Sequence, residues 1–249
     1  MTLRRPGLLA ASALLVLIGL ALPAAAQEIS IDLGNGDGTL AARSIQLMVL
    51  ITVLSLVPGL AIMITCFPFI VTVLSILRQA IGLQQSPPNM LIISLALFLT
   101  YFVMEPVFNE AWRLGAQPLI AGELELEEAF ALAVSPFRGF MANRIDPDTF
   151  ARLAELREAT AGLAAPVEDA PLSLLVPSFL LSEIERAFQI GFLIFLPFLI
   201  IDLVVAAILM SMGMMMVPPA IVSLPFKLAF FVVADGWSLI TGALVRSYF

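Results

Sequence analysis

AFQIGFLIFLPFLIIDLVVAAILMS, residues 187–211, holds one charge, Asp202, and one proline, Pro197, in a run that is otherwise mostly apolar. A helix rises about 1.5 Å per residue, so a run of this length can cross a hydrocarbon core of roughly 30 Å. Three further segments are of the same kind. IQLMVLITVLSLVPGLAIMITC, 45–66, carries no charge, and Pro58-Gly59 near its middle predicts a kink or a break. MLIISLALFLTYFVM, 90–104, is short for a span and is followed by Glu105-Pro106. The last, between Lys227 and Arg246, contains Asp235. The fold class expected is therefore all-α: about four apolar, membrane-associated helices, several kinked or broken, with a small helical external domain.

Composition supports this reading. The chain is 61% apolar and 12% charged with a mean hydropathy of +1.05, where a soluble domain is roughly a quarter charged. A core of this size cannot hide so much apolar surface, so lipid or other subunits must cover it. There is no histidine and a single cysteine, Cys66. That removes histidine-based triads, zinc sites and internal disulfides. Lys227 is the only lysine and the net charge is −7, so no nucleic-acid footprint exists. No phosphate-cradling glycine loop with its lysine is present, so the familiar nucleotide-hydrolysing motif is absent from the sequence.

At the N-terminus MTLRRPG is a basic region, LLAASALLVLIGLAL an apolar one, and PAAAQ a small-residue cleavage site. Residues 1–26 read as a signal peptide cut before Gln27, with an uncleaved anchor as the competing reading. Residues 27–44 read as a polar external tail. The stretch 107–186 differs in character, with thirteen acids, six arginines and no lysine. Ser135-Pro136 and Asp146-Pro147-Asp148 are helix-start signals. TFARLAELRE reads as an amphipathic helix with Phe150, Leu153 and Leu156 on one side, and EATAGLAAPVEDAP as a loop. If the signal places the mature N-terminus outside, a loop at 67–89 carrying Arg78 faces the cytoplasm. The 107–186 domain and the C-terminus are then external. The paired apolar segments are 45–106 and 187–249, the second joined by a turn at 210–219.

That turn, MSMGMMMVPP, holds five of the eleven methionines. Three readings are open: a soft Cu(I) site for a copper transporter, packing between helices, or a deformable seal built by several subunits. Gly213 lets the chain bend, and Pro218 and Pro219 end the preceding helix, so the methionines sit on a loop. Asp202 and Asp235 stand in apolar segments, where an unpaired carboxylate is expensive. An intramembrane aspartyl protease dyad is one reading; the other pairs each with Lys227, Arg186, Arg246 or a neighbouring subunit. Glu183 and Arg186, in SEIERAF, read either as a solvated helix start capped by Ser182 or as an intersubunit contact. Phe188, Phe192, Phe195 and Phe198 recur at helical spacing and are expected to pack one face against a neighbour.

FLLSEIERAFQIGFLIFLPFLIIDLVVAAILMSMGMMMVPPAIVSLPFKLAFFVVADGWSLI, 179–240, together with FPFIVTVLSILRQAIGLQQSPPNMLIISLALFLTYFVMEPV, 67–107, resembles the FliP family of the flagellar type III export gate, which has counterparts in virulence injectisomes. The resemblance implies a homo-oligomer assembled with Q- and R-type gate subunits and contacting other inner-membrane export proteins. Unfolded proteins would pass through it at the flagellar basal body. It places a gasket on Met214, Met215 and Met216, requires no cofactor, and implies no enzyme activity. It also implies that Glu183, Arg186, Asp202, Lys227 and Asp235 make intersubunit polar contacts, and that apparent spans are partly covered by protein.

Overall fold

In the computed structural model residues 40–83, 86–156 and 166–249 are described. The expected signal peptide, and the tail up to residue 39, lie outside them. Every regular element among the described residues is helical. In chain order they are α1 (Leu40–Met63), α2 (Phe67–Ile81), α3 (Asn89–Ala111), a π turn (Trp112–Ala116), α4 (Gln117–Ala121), α5 (Leu126–Ala142) and α6 (Pro147–Glu155). A 3-10 turn (Val167–Asp169), α7 (Leu172–Ser211), α8 (Pro219–Val233) and α9 (Gly236–Arg246) follow. Three helical stretches, Ser44–Met63, Asn89–Ala121 and Leu172–Ser211, are long and apolar enough to span a membrane, and α8 with α9, bent by 60°, passes the same test only if the pair is taken together.

The core is organised around α2. Its residues Phe69, Ile70, Val73, Leu74, Leu77 and Ile81 recur at helical spacing and are buried, chiefly against α7 and also against α3 and α8. The approach to α7 is close because Gly191 offers no side chain: a Cβ there would lie 2.4 Å from Ile76 Cδ1. The expected loop at 67–89 is thus mostly a buried helix. Short apolar runs flanked by proline and glycine read as connectors, and only tertiary packing distinguishes them from core helices.

Other boundaries also differ from expectation. The helix begun at Asn89 runs through Pro106 and, with the π turn and α4, reaches Ala121, long enough for a span. Pro136 lies inside α5 and does not start it, because the run from Leu126, with Glu127 and Glu128 in its first turn, already favours helix. Helix α1 continues through Pro58 without a break. Helix α7 crosses the 186/187 boundary as one element of 40 residues, passing both Pro177 and Pro197. Ser182 is therefore no cap; it donates to Ser178 O one turn back.

Local signals succeeded at α6. Asp146 caps it, accepting from the Thr149 N–H at 2.9 Å, with Pro147 at the first helical position. That bond holds the Asp146 carboxyl below the usual carboxylate range. The cap therefore contributes fully above that range and is lost as pH falls through the lowered value. Phe150 and Leu153 are half-buried, but Leu156 lies beyond the last turn and is exposed. The expected loop 158–171 is described only from Pro166, where it holds the 3-10 turn. There Arg138 Nη1 donates to Glu168 O and Ala170 O, at 3.1 and 2.8 Å.

Candidate functional site

Helix α7 ends at the methionine turn in a specific way. The Gly213 N–H donates to Met210 O at 3.1 Å and the Met214 N–H to Leu209 O at 3.0 Å. This nested pair is the Schellman termination, which needs a left-handed residue, and Gly213 has φ +74°. The Val217 N–H closes the turn on Met214 O at 3.3 Å, and Pro218 and Pro219 start α8. The loop is therefore anchored at both ends by backbone hydrogen bonds. Its side chains face outward: Met214 is 38% exposed, Met215 84% and Met216 98%. Nothing stands within 4 Å of a Cβ at Gly213, so the demand there is conformational. Gly213→Ala should cost about 1–2 kcal/mol; a variant as heat-stable as wild type would show that the left-handed turn is not required.

Below the turn, α7 and α8 are pinned by a polar cluster. Lys227 Nζ lies 2.6 Å from Asp202 Oδ2 and donates to Ala80 O of α2 at 3.2 Å. Ser223 Oγ donates to Asp202 Oδ1 at 2.6 Å. Asp202 and Lys227 were expected at subunit contacts; the structure pairs them within the chain. The pairing also disposes of the protease reading. Asp235 is eight residues beyond Lys227, about 12 Å along a helix. It is exposed and sits in a left-handed conformation (φ 48°) at the elbow between α8 and α9. No shared-proton dyad forms.

A second polar cluster anchors the first third of α7. Glu183, fully buried, accepts from Arg144 Nε at 2.9 Å and from the Tyr248 hydroxyl. Arg144 Nη1 donates to Ser247 O at 2.8 Å, and its guanidinium lies 4.1 Å from the Tyr248 ring centroid. Burial, and then the Glu183 charge, push the phenol of Tyr248 far up, so it stays a donor at any ordinary pH. Next to it the Asp146 N–H donates to Ser182 Oγ at 2.9 Å. Glu183 is thus no solvated helix start. Its partners come from the α5–α6 connection and from the C-terminus.

Arg144 and Tyr248 were missed from the sequence. Arg186 is half-buried with no ion pair among the described residues. The four phenylalanines divide. Phe198 is buried against Phe230 and Phe231, and Phe195 is half-buried against the same core, whereas Phe188 and Phe192 are exposed.

The sequence model of the FliP family matches residues 50–244, which include both polar clusters except for Tyr248 and Ser247, and the whole methionine turn. The chain belongs to the FliP family. It is 52% identical over 230 residues to the flagellar biosynthetic protein FliP of Caulobacter vibrioides, covering 91% of this chain and 85% of that one. The FliP of Agrobacterium fabrum is 49% identical over 92% of this chain and 95% of its own length. That of Bacillus subtilis is 44% identical over 86% of this chain and 96% of its own. The FliP likeness therefore extends through the spans, the 107–186 region and the turn.

Proposed function

We propose that this chain is a subunit of the flagellar type III protein export gate. Several copies assemble with Q- and R-type subunits into a channel that passes unfolded proteins across the inner membrane, and the 107–186 domain lies outside the cytoplasm. Met214, Met215 and Met216 form the seal. Gly213, Pro218 and Pro219 shape the loop that carries them, and Phe188, Phe192 and Asp235 remain available for contacts with neighbouring subunits.

The observation that carries this reading is the exposed methionine cluster on a turn fixed at both ends. An anchored loop places soft side chains at a constant position, while their three rotatable bonds let them re-pack around a passing chain. A ring of such apolar groups blocks ions by excluding water. The outward surface supports assembly: every side chain described from Ser44 to Met63 is exposed and most are apolar, so lipid or partner protein must cover this helix.

Replacing Met214, Met215 and Met216 together with alanine should leave assembly intact, because these side chains pack on little within the chain. The cells should leak ions, read as loss of membrane potential when the gate is overproduced. An ion-tight triple variant that still exports would place the seal elsewhere.

A further inference from the structure

Ile190 and Ile194 of α7, with Leu239, Ile240 and Ala243 of α9, line an apolar groove of about 380 Å³, and Arg246 is the charged residue on its wall. Arg186 stands one turn before Ile190 on nearly the same face of α7. Arg186 is not itself on the groove's wall; the Tyr248–Glu183 hydrogen bond ties the end of α9 to the turn of α7 just before it, so helix geometry sets Arg186 beyond the Ile190 end, on the side of Arg246. Neither has an ion pair or hydrogen bond among the described residues. The nearby acids do not neutralise them: Glu183 is taken by Arg144 and Tyr248, and Glu185 accepts from Gln189 and borders a different cleft with Thr149 and Arg152.

We propose that this groove binds an anionic phospholipid, with an acyl chain along Ile190, Ile194 and Leu239 and the headgroup phosphate held by Arg186 and Arg246. The order of chemistry along the groove matches the molecule, with a long apolar trough ending in paired positive charge. Guanidinium forks suit phosphate oxygens, and two of them favour a net negative headgroup over a zwitterion. Depth agrees as well. From Arg186 to Ser211, α7 rises roughly 37 Å, a hydrocarbon core plus a margin, which puts the arginines at headgroup level. This site is separate from the methionine turn and stands or falls without it.

Native mass spectrometry of the full-length chain in mild detergent, offered equal amounts of palmitoyl-oleoyl phosphatidylglycerol and phosphatidylethanolamine, tests it. The wild type should retain the phosphatidylglycerol preferentially. Arg186→Gln should reduce that preference about fivefold and the Arg186→Gln/Arg246→Gln double variant about twentyfold or more. Thermal stability should be unchanged, since neither guanidinium supports the fold. Equal retention of the two lipids by the wild type, or a preference that survives in the double variant, overturns the proposal. A cysteine at Ala243 gives a second arm, free of interference from fully buried Cys66. Slow maleimide labelling in membranes without cross-linking, with fast labelling once the chain is unfolded, supports a lipid-filled groove, because a thiol in hydrocarbon stays protonated; an efficient bismaleimide cross-link to another subunit would assign the groove to protein.

Discussion

Glu183→Ala should destabilise the folded chain by about 3–5 kcal/mol, enough to lower the melting temperature in detergent by roughly 10 °C. The carboxylate is fully buried and takes a charged donor from Arg144 and a phenolic one from Tyr248. Removing it strands a guanidinium that already has one terminal nitrogen, Nη2, without a partner. It also orphans a phenol that cannot ionise away its proton. The loss should be local in origin but wide in effect, because three parts of the chain meet here: the α5–α6 connection, the first third of α7 and the C-terminus. Limited proteolysis should therefore release the 107–186 region faster than in wild type. Glu183→Gln keeps an acceptor for one partner and should lose less. If the alanine variant melts within a degree or two of wild type, the cluster does not hold the domain to α7.

The second large effect distinguishes the two ends of one ion pair. Asp202→Ala should cost about 3–5 kcal/mol, whereas Lys227→Met should cost about 1–2 kcal/mol. The asymmetry follows from exposure: the Lys227 side chain is 7% exposed and that of Asp202 33%. Without Asp202 the ammonium keeps only Ala80 O in a buried position. Without Lys227 the carboxylate still accepts from Ser223 and reaches water. A double Asp202→Leu/Lys227→Met variant should recover most of the loss, since apolar replacement removes both the attraction and the need for it. Urea or thermal titration of the three variants in detergent measures the three costs. Equal costs for the two single changes would mean that burial does not govern this pair.

How far the sequence anticipates the structure can be seen residue by residue. The all-helical class and the long spans follow from apolar run length, which is a property of the chain itself. Asp146-Pro147 was readable because a cap needs only its own next three residues. Three boundary differences share one cause, proline: Pro58, Pro106 and Pro136 all lie inside helices. A proline removes one hydrogen bond from a helix, and dense apolar packing or a membrane setting can outweigh that loss. Helix α2 was read as a loop for the opposite reason: its identity depends on the surfaces of α7 and α3 closing over it. In the site, Lys227 was a stated candidate partner for Asp202, and chemistry alone made that pairing reasonable. Arg144 and Tyr248 were invisible because they are 39 and 65 residues from Glu183, and no local pattern encodes such a meeting.

Helix α7 has a mechanical consequence. At 40 residues it is about 60 Å long, and the Glu183 cluster grips it far from its methionine end. The distance from Glu183 to Met212 is roughly 43 Å of helix. A pivot of only about 5° at that grip would carry the methionine tip by about 4 Å, close to the width of a side chain. The Asp202–Lys227 cluster and α2 hold the rod again further along, so such a tilt must carry α8 and α2 with it. A tilt imposed on the 107–186 region would then reach the methionine turn as movement of the packed α2–α7–α8 unit, not of α7 alone.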